Sequence, residues 1–237
     1  MRRGVAVRQY RVPYLHAKQI EREAQLLLDE WAETHPIDAW PPVPIEDILE
    51  LHLGLGFEIV DLQAELGHPD VLGGIWFGSS TIKVDRTLDP SGAPKMLGRY
   101  RFTVAHEVGH WRLHRRHLME DPIAKSLFEA NCGPAFIQRS SANPPEEVQA
   151  NMFAACVLMP QQMVYEAWSQ WRGSDGPVGI GDLPVSDRYE DRRANENMAM
   201  EQFCRPLADR FEVSAQAMRL RLQKLELLVK KVTPRLF

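Results

Sequence analysis

Apolar residues Ile20, Ala24, Leu27, Leu28 and Trp31 recur at three- and four-residue intervals, the stripe of an amphipathic helix. His35-Pro36 closes that stripe, because proline cannot continue a helix. Pro44 fits the first turn of a second helix through Ile48 and Leu51, which Gly54 and Gly56 end. Three β-prone runs follow at 57–62, 74–77 and 81–84. The turn-forming Gly78-Ser79-Ser80 separates the last two, so the runs predict a small antiparallel sheet. Beyond the Pro/Gly-containing segment 89–94, the pattern predicts helices to about Arg116, from Pro144-Pro145 to Met159-Pro160, and from Pro160 to Trp171. Residues 173–186 hold four glycines and two prolines, the composition of a linker. The last segment is helical in pattern, with Leu207, Phe211, Val213, Met218, Leu222, Leu225 and Leu228 as candidate core. No internal repeat interrupts this order. The chain therefore reads as α+β and mainly helical, with a small antiparallel sheet: a first domain over 1–172, a Gly/Pro-rich and charged linker over 173–192, and a helix-turn-helix-like segment over 193–237.

Composition narrows the class without naming a function. Across 237 residues, 44% are apolar and 25% charged, the balance of a globular protein. Lys+Arg 28 against Asp+Glu 32 leaves a net charge of -4, so the whole molecule is no electrostatic binder of nucleic acid or membranes. The longest apolar run, Phe153 to Met159, falls far short of the roughly 20 residues that cross a bilayer. MRRGVAVRQYRVPY begins basic but lacks the apolar stretch of a secretory signal, and a cytoplasmic location is expected. Cys132, Cys156 and Cys204 form no CxxC pair and suit free thiols in a reducing compartment.

The chemistry is concentrated at His106-Glu107-Val108-Gly109-His110. In a helix, the i, i+4 spacing puts both imidazoles on one face, where two neutral ring nitrogens can bind one Zn²⁺. Glu107 between them suits a proton shuttle: it takes a proton from water and returns it to a leaving amine. A bare HExxH also arises by chance on solvated helices, so a third ligand must decide. Gly and His at 113 and 116 would complete one known pattern, but Leu113 and Arg116 stand there. Glu147 on the next long helix is the favoured carboxylate, with Glu146, offset about 100° around the helix, as runner-up. Asn151, four residues on, shares the Glu147 face and can hydrogen-bond a ligand imidazole. His114 continues the histidine stripe and reads as a supporting residue, because one helix cannot easily wrap three ligands around a tetrahedral ion. Tyr100, Arg99 and Arg101 are candidates for stabilising an oxyanion, with packing or solvation as the plainer reading. His16, His35, His52, His68 and His117 read as packing or surface residues.

The stretch Arg101-Phe102-Thr103-Val104-Ala105-His106-Glu107-Val108-Gly109-His110-Trp111-Arg112-Leu113-His114, followed by Glu147-Val148-Gln149-Ala150-Asn151-Met152-Phe153-Ala154-Ala155-Cys156-Val157-Leu158-Met159-Pro160, resembles the ImmA/IrrE family of metallopeptidases. Val157 replaces a usual leucine, and the resemblance covers about residues 16–171, including a β-meander with a Gly73-Gly74 turn. It implies a zincin-like domain, specifically a gluzincin-like peptidase, with His106, His110 and Glu147 on zinc and Glu107 as acid/base. Mn²⁺ suits the same ligands. The resemblance further implies a protein substrate, a helix-turn-helix repressor cut once to derepress stress, prophage or mobile-element genes. A sheet edge beside the active-site helix, 81–84 or 74–77, would hold substrate as an added strand. Residues 119–145 read as a lid or specificity loop.

At the C-terminus, Ser214 is placed to cap a second helix of a helix-turn-helix-like pair. From residue 203 onward eight Lys/Arg face three Asp/Glu, a local +5, so Gln216, Arg219 and Arg221 are candidate DNA contacts. The blander reading is a helical hairpin with solvated charges. A non-catalytic DNA- or repressor-binding regulator with a structural metal site is accordingly the rival to the peptidase.

Overall fold

The computed structural model describes residues 12–35, 41–130, 133–139, 144–184 and 191–230. The chain forms two compact units, Met1–Leu158 and Met159–Phe237. This division falls before the helix at 161–172, which the expected 1–172 domain had included.

In the first unit, α1 (Ala17–Ala32) starts at His16, whose backbone N–H donates to Gln19 Oε1 at 2.8 Å. It buries the expected Ile20, Ala24, Leu27, Leu28 and Trp31. Pro44 precedes α2 (Ile45–Asp47), which runs on as a π-helical turn, Ile48–His52; Leu51 is exposed rather than packed. β1 (Gly56–Val60) leads to α3 (Leu62–Leu66), capped by Asp61 and closed by Gly67 at φ 71°. β2 (Val71–Trp76) and β3 (Thr81–Asp85) form the expected hairpin, with Ile75 opposite Ile82. Next come α4 (Leu97–Leu113), α5 (Arg115–Glu120), α6 (Pro122–Glu129), β4 (Phe136–Arg139) and α7 (Pro145–Leu158).

The sheet order is β1-β3-β2-β4. It is mixed rather than purely antiparallel: β1 runs parallel to β3, while β2 is antiparallel to both β3 and β4. The intervening α3 and β2 give the chain room to return in the same direction, a crossover that side-chain alternation cannot reveal. Gly73 and Gly74 lie inside β2 and make no turn. Both strands proposed as the substrate edge, β2 and β3, are interior; the outer strands of the described sheet are β1 and β4. The span 119–145 is likewise no simple loop, since it contains α6 and β4; residues 131–132 and 140–143, with Cys132 among them, lie outside the described residues.

Helix α4 packs on β2, β3 and β4 as well as on α1 and α7. It is therefore buried almost all round, from Thr103 through His110. Its close fit to α7 depends on Gly109: a β-carbon there would stand 3.2 Å from Ala150 Cα, 3.2 Å from Phe153 Cδ1 and 3.3 Å from the Ala150 carbonyl oxygen. Arg112 ties α4 to α1, reaching Glu23 at 2.7 Å and Glu30 at 2.8 Å.

The second unit holds α8 (Gln161–Arg172), β5 (Val178–Gly179), α9 (Arg192–Phe211), α10 (Ala215–Lys224) and β6 (Leu228–Val229). The expected linker thus includes β5, which pairs parallel with β6. Ser214 caps α10 by accepting from the Ala217 N–H at 3.1 Å. Leu207, Phe211, Val213, Met218, Leu222 and Leu228 are buried; Leu227 is buried where Leu225 was expected.

Candidate metal centre

Two neighbouring helices build the site. α4 presents His106 and His110 one turn apart, and the first turn of α7 presents Glu147. All three are buried, and their ligand atoms lie within 4.8 Å of one another. His106 Nε2 stands 3.0 Å from His110 Nε2 and 3.0 Å from Glu147 Oε2, and His110 Nε2 stands 3.2 Å from Glu147 Oε1.

The outer ring nitrogens determine what these inner ones carry. Asn151 Oδ1, an acceptor, lies 3.0 Å from His106 Nδ1, so that nitrogen donates and Nε2 keeps its lone pair. His110 Nδ1 lies 3.0 Å from His114 Nδ1, which lets His110 donate there in the same way. Two lone pairs and a carboxylate then converge with no proton between them. Neighbouring ligands of a tetrahedral zinc site stand about 3.3 Å apart, close to these separations. The donor set fits one divalent metal ion.

Electrostatics agree with that reading. Burial alone would raise the Glu147 carboxyl, but the imidazoles of His106 and His110 set against it bring it down to about 2. Burial pushes His110 down to about 3, against the opposing pull of the Glu147 carboxylate, so the imidazole is neutral and ready to ligate. Phe136 of β4 stacks on the His110 ring, 4.1 Å between centroids and 10° from parallel.

Glu107 points elsewhere than its flanking histidines. Both its carboxylate oxygens are buried without a hydrogen-bond partner among the described residues. Burial first, and then the charge of Glu147, raises its carboxyl well above the usual range. Gly73 of β2 makes room for it: a β-carbon at that position would lie 2.9 Å from Glu107 Oε1 and 2.7 Å from Thr103 Cγ2. A buried carboxyl with two open oxygens beside a metal-type donor set is arranged to exchange a proton with water.

Glu146, though buried, does not join the trio. His114 stays outside it too and bridges His110 to Gln149 Oε1, the latter 3.1 Å from His114 Nε2. Tyr100 packs edge-on against Phe57, Arg101 directs its guanidinium to Glu46 and the Val43 carbonyl, and Arg99 is exposed. The contacts of Tyr100 and Arg101 are of the packing kind that the sequence offered as the plainer reading. His35 stacks on Trp31, His52 lies 3.2 Å from Glu30, and His117 is exposed. Sequence reasoning missed Gln149, Phe136 and Gly73. Gln149 lies about 200° around α7 from Glu147, so helical periodicity could not select it.

In the second unit, Gln216 is exposed, but Arg219 and Arg221 turn inward. Arg219 donates to Glu201 at 3.1 Å and to Gln223 at 3.2 Å, and Arg221 to the Met159 carbonyl at 2.9 Å. The three do not form an exposed DNA-reading face, because both guanidiniums are engaged internally.

The family model described as the IrrE N-terminal-like domain of M78 peptidases matches residues 93–223, more than half of the chain. The chain belongs to the M78 (ImmA/IrrE) peptidase family. The matched span contains the whole HExxH helix, Glu147 and most of the second unit. No curated protein matches the chain.

Proposed function

We propose that this M78 family member is a zinc-dependent endopeptidase that cuts a helix-turn-helix transcriptional repressor and so relieves repression. The observation that carries the peptidase reading is the buried trio of His106, His110 and Glu147, with the unpartnered Glu107 carboxyl beside it. Zinc is the metal usual in M78 peptidases, and Mn²⁺ accepts the same donors. The repressor as substrate is supported by the family resemblance alone.

His106 and His110 would hold the ion through Nε2, and Glu147 through its carboxylate. Bound there, a divalent ion supplies Lewis acidity, polarising the scissile carbonyl and acidifying water. Glu107 takes the proton that the attacking water gives up and delivers it to the leaving amine. Asn151 and His114 hold the two imidazoles in the tautomer that ligates. A substrate segment added as a strand would lie along β4, the sheet edge whose Phe136 packs on His110.

The test is to incubate the metal-loaded protein with the repressor encoded beside its gene and read intact masses. One discrete cut is expected, slowed about 10²–10⁴-fold in Glu107→Gln. An uncut repressor in the presence of metal-loaded protein would overturn the substrate assignment, and degradation of unfolded casein instead would favour a general protease.

A further inference from the structure

A hydrogen-bond chain leaves the metal centre through His110 and ends on backbone that precedes α1. His110 Nδ1 lies 3.0 Å from His114 Nδ1, His114 Nε2 lies 3.1 Å from Gln149 Oε1, and Gln149 Nε2 donates to the Pro13 carbonyl at 3.0 Å. His110, His114 and Gln149 are all buried, so no bulk water competes for these positions.

The polarity of the chain is set at its far end. A carbonyl oxygen only accepts, so Pro13 O must face the NH₂ side of the Gln149 amide. That leaves Oε1 facing His114, and an acceptor there requires the proton on His114 Nε2. A neutral imidazole with Nε2 protonated has its lone pair on Nδ1, which must therefore receive a proton from His110 Nδ1. His110 is then left with its lone pair on Nε2, the atom that faces His106 and Glu147. Turning the amide over would set its oxygen against the Pro13 carbonyl, two acceptors facing each other, so the alternative loses that hydrogen bond even if His114 changes tautomer to accept from the amide NH₂.

We propose that Gln149, oriented by the Pro13 carbonyl, is a positioning residue for the metal: it fixes the His114 tautomer and thereby makes His110 present its Nε2 lone pair to the ion. The segment before α1 is then coupled to the metal centre through side chains that never touch the ion. This inference rests on the trio being a metal site, as in the function proposed above.

The experiment compares zinc affinity, by competition with a chromophoric chelator, in wild type, Glu147→Ala, Gln149→Leu and Gln149→Glu. The leucine side chain in Gln149→Leu offers His114 no acceptor, so affinity should fall about 10- to 100-fold. The carboxylate in Gln149→Glu still accepts from His114 Nε2 and should bind zinc to within about threefold of wild type. Wild-type affinity in Gln149→Leu would overturn the proposal, and so would equal losses in Gln149→Leu and Gln149→Glu, which would indicate packing alone. If wild type itself binds no more zinc than Glu147→Ala, the metal-site reading fails instead. Should Gln149→Leu fail to fold by circular dichroism, imidazole ¹⁵N shifts of the wild-type protein decide: a proton on His114 Nε2 supports the relay, and one on Nδ1 overturns it.

Discussion

At the scale of single residues, the site depends on side chains that leave room as much as on those that bond. Gly73 is the sharpest case, because its missing β-carbon is the space that the Glu107 carboxylate and the Thr103 methyl occupy. Both neighbours are side-chain atoms, so Gly73→Ala should displace them without unfolding β2. The expected outcome is retained zinc with kcat lowered by at least about tenfold, the signature of a misplaced proton shuttle. Paired metal and turnover assays check it, and unchanged kcat would show that Glu107 tolerates the shift. The two histidines and Glu107 were legible in the sequence because i, i+4 spacing on a helix is a local geometric fact. Glu147 emerged by elimination and then by family resemblance. Gln149 and Phe136 were hidden because each meets its partner only through tertiary packing: Gln149 with His114 and Pro13, Phe136 with His110.

At the scale of elements, the centre exists because α4 and α7 lie close enough for Glu147 to reach two histidines. Gly109 permits that approach, and two of the three atoms a new methyl would meet belong to the α7 backbone. Backbone cannot swing aside, so Gly109→Ala should cost about 1–3 kcal/mol, read as a lower urea midpoint. The α1–α4 tie through Arg112 adds a pH dependence. The Arg112 hydrogen bond outweighs partial desolvation, and with help from His52 it holds the Glu30 carboxyl below its ordinary value of 4.5. Folded Glu30 therefore gives up its proton more readily than unfolded Glu30. Its stabilisation is complete above pH 4.5 and is lost as pH falls below that value. The gap in urea midpoint between wild type and Glu30→Gln should accordingly be widest near neutrality and narrow in acid; a gap that widens in acid would contradict the tie. Helices bounded by proline and glycine were readable along the chain. β4 was not, since a four-residue strand is defined by pairing with β2, and the parallel β1–β3 pair leaves no mark in residue alternation.

At the scale of the molecule, the chain forms two compact units. The first contains the whole trio and Glu107, and no helix among the described residues is long and apolar enough to cross a membrane. The second carries the basic surplus read from the sequence, yet Arg219 and Arg221 serve its interior through Glu201, Gln223 and the Met159 carbonyl. Charge counting identified those residues but not their direction, because an arginine on an amphipathic helix can face either way until the neighbouring helix is placed. The division before α8 was equally hidden, since Met159-Pro160 reads first as a helix boundary and only packing makes it a boundary between units. The central claim is that His106, His110 and Glu147 hold a metal that Glu107 does not. Elemental analysis after zinc loading and desalting tests it most directly: about one equivalent in wild type and in Glu107→Gln, and little in Glu147→Ala. Full occupancy in Glu147→Ala, or none in wild type, would contradict it.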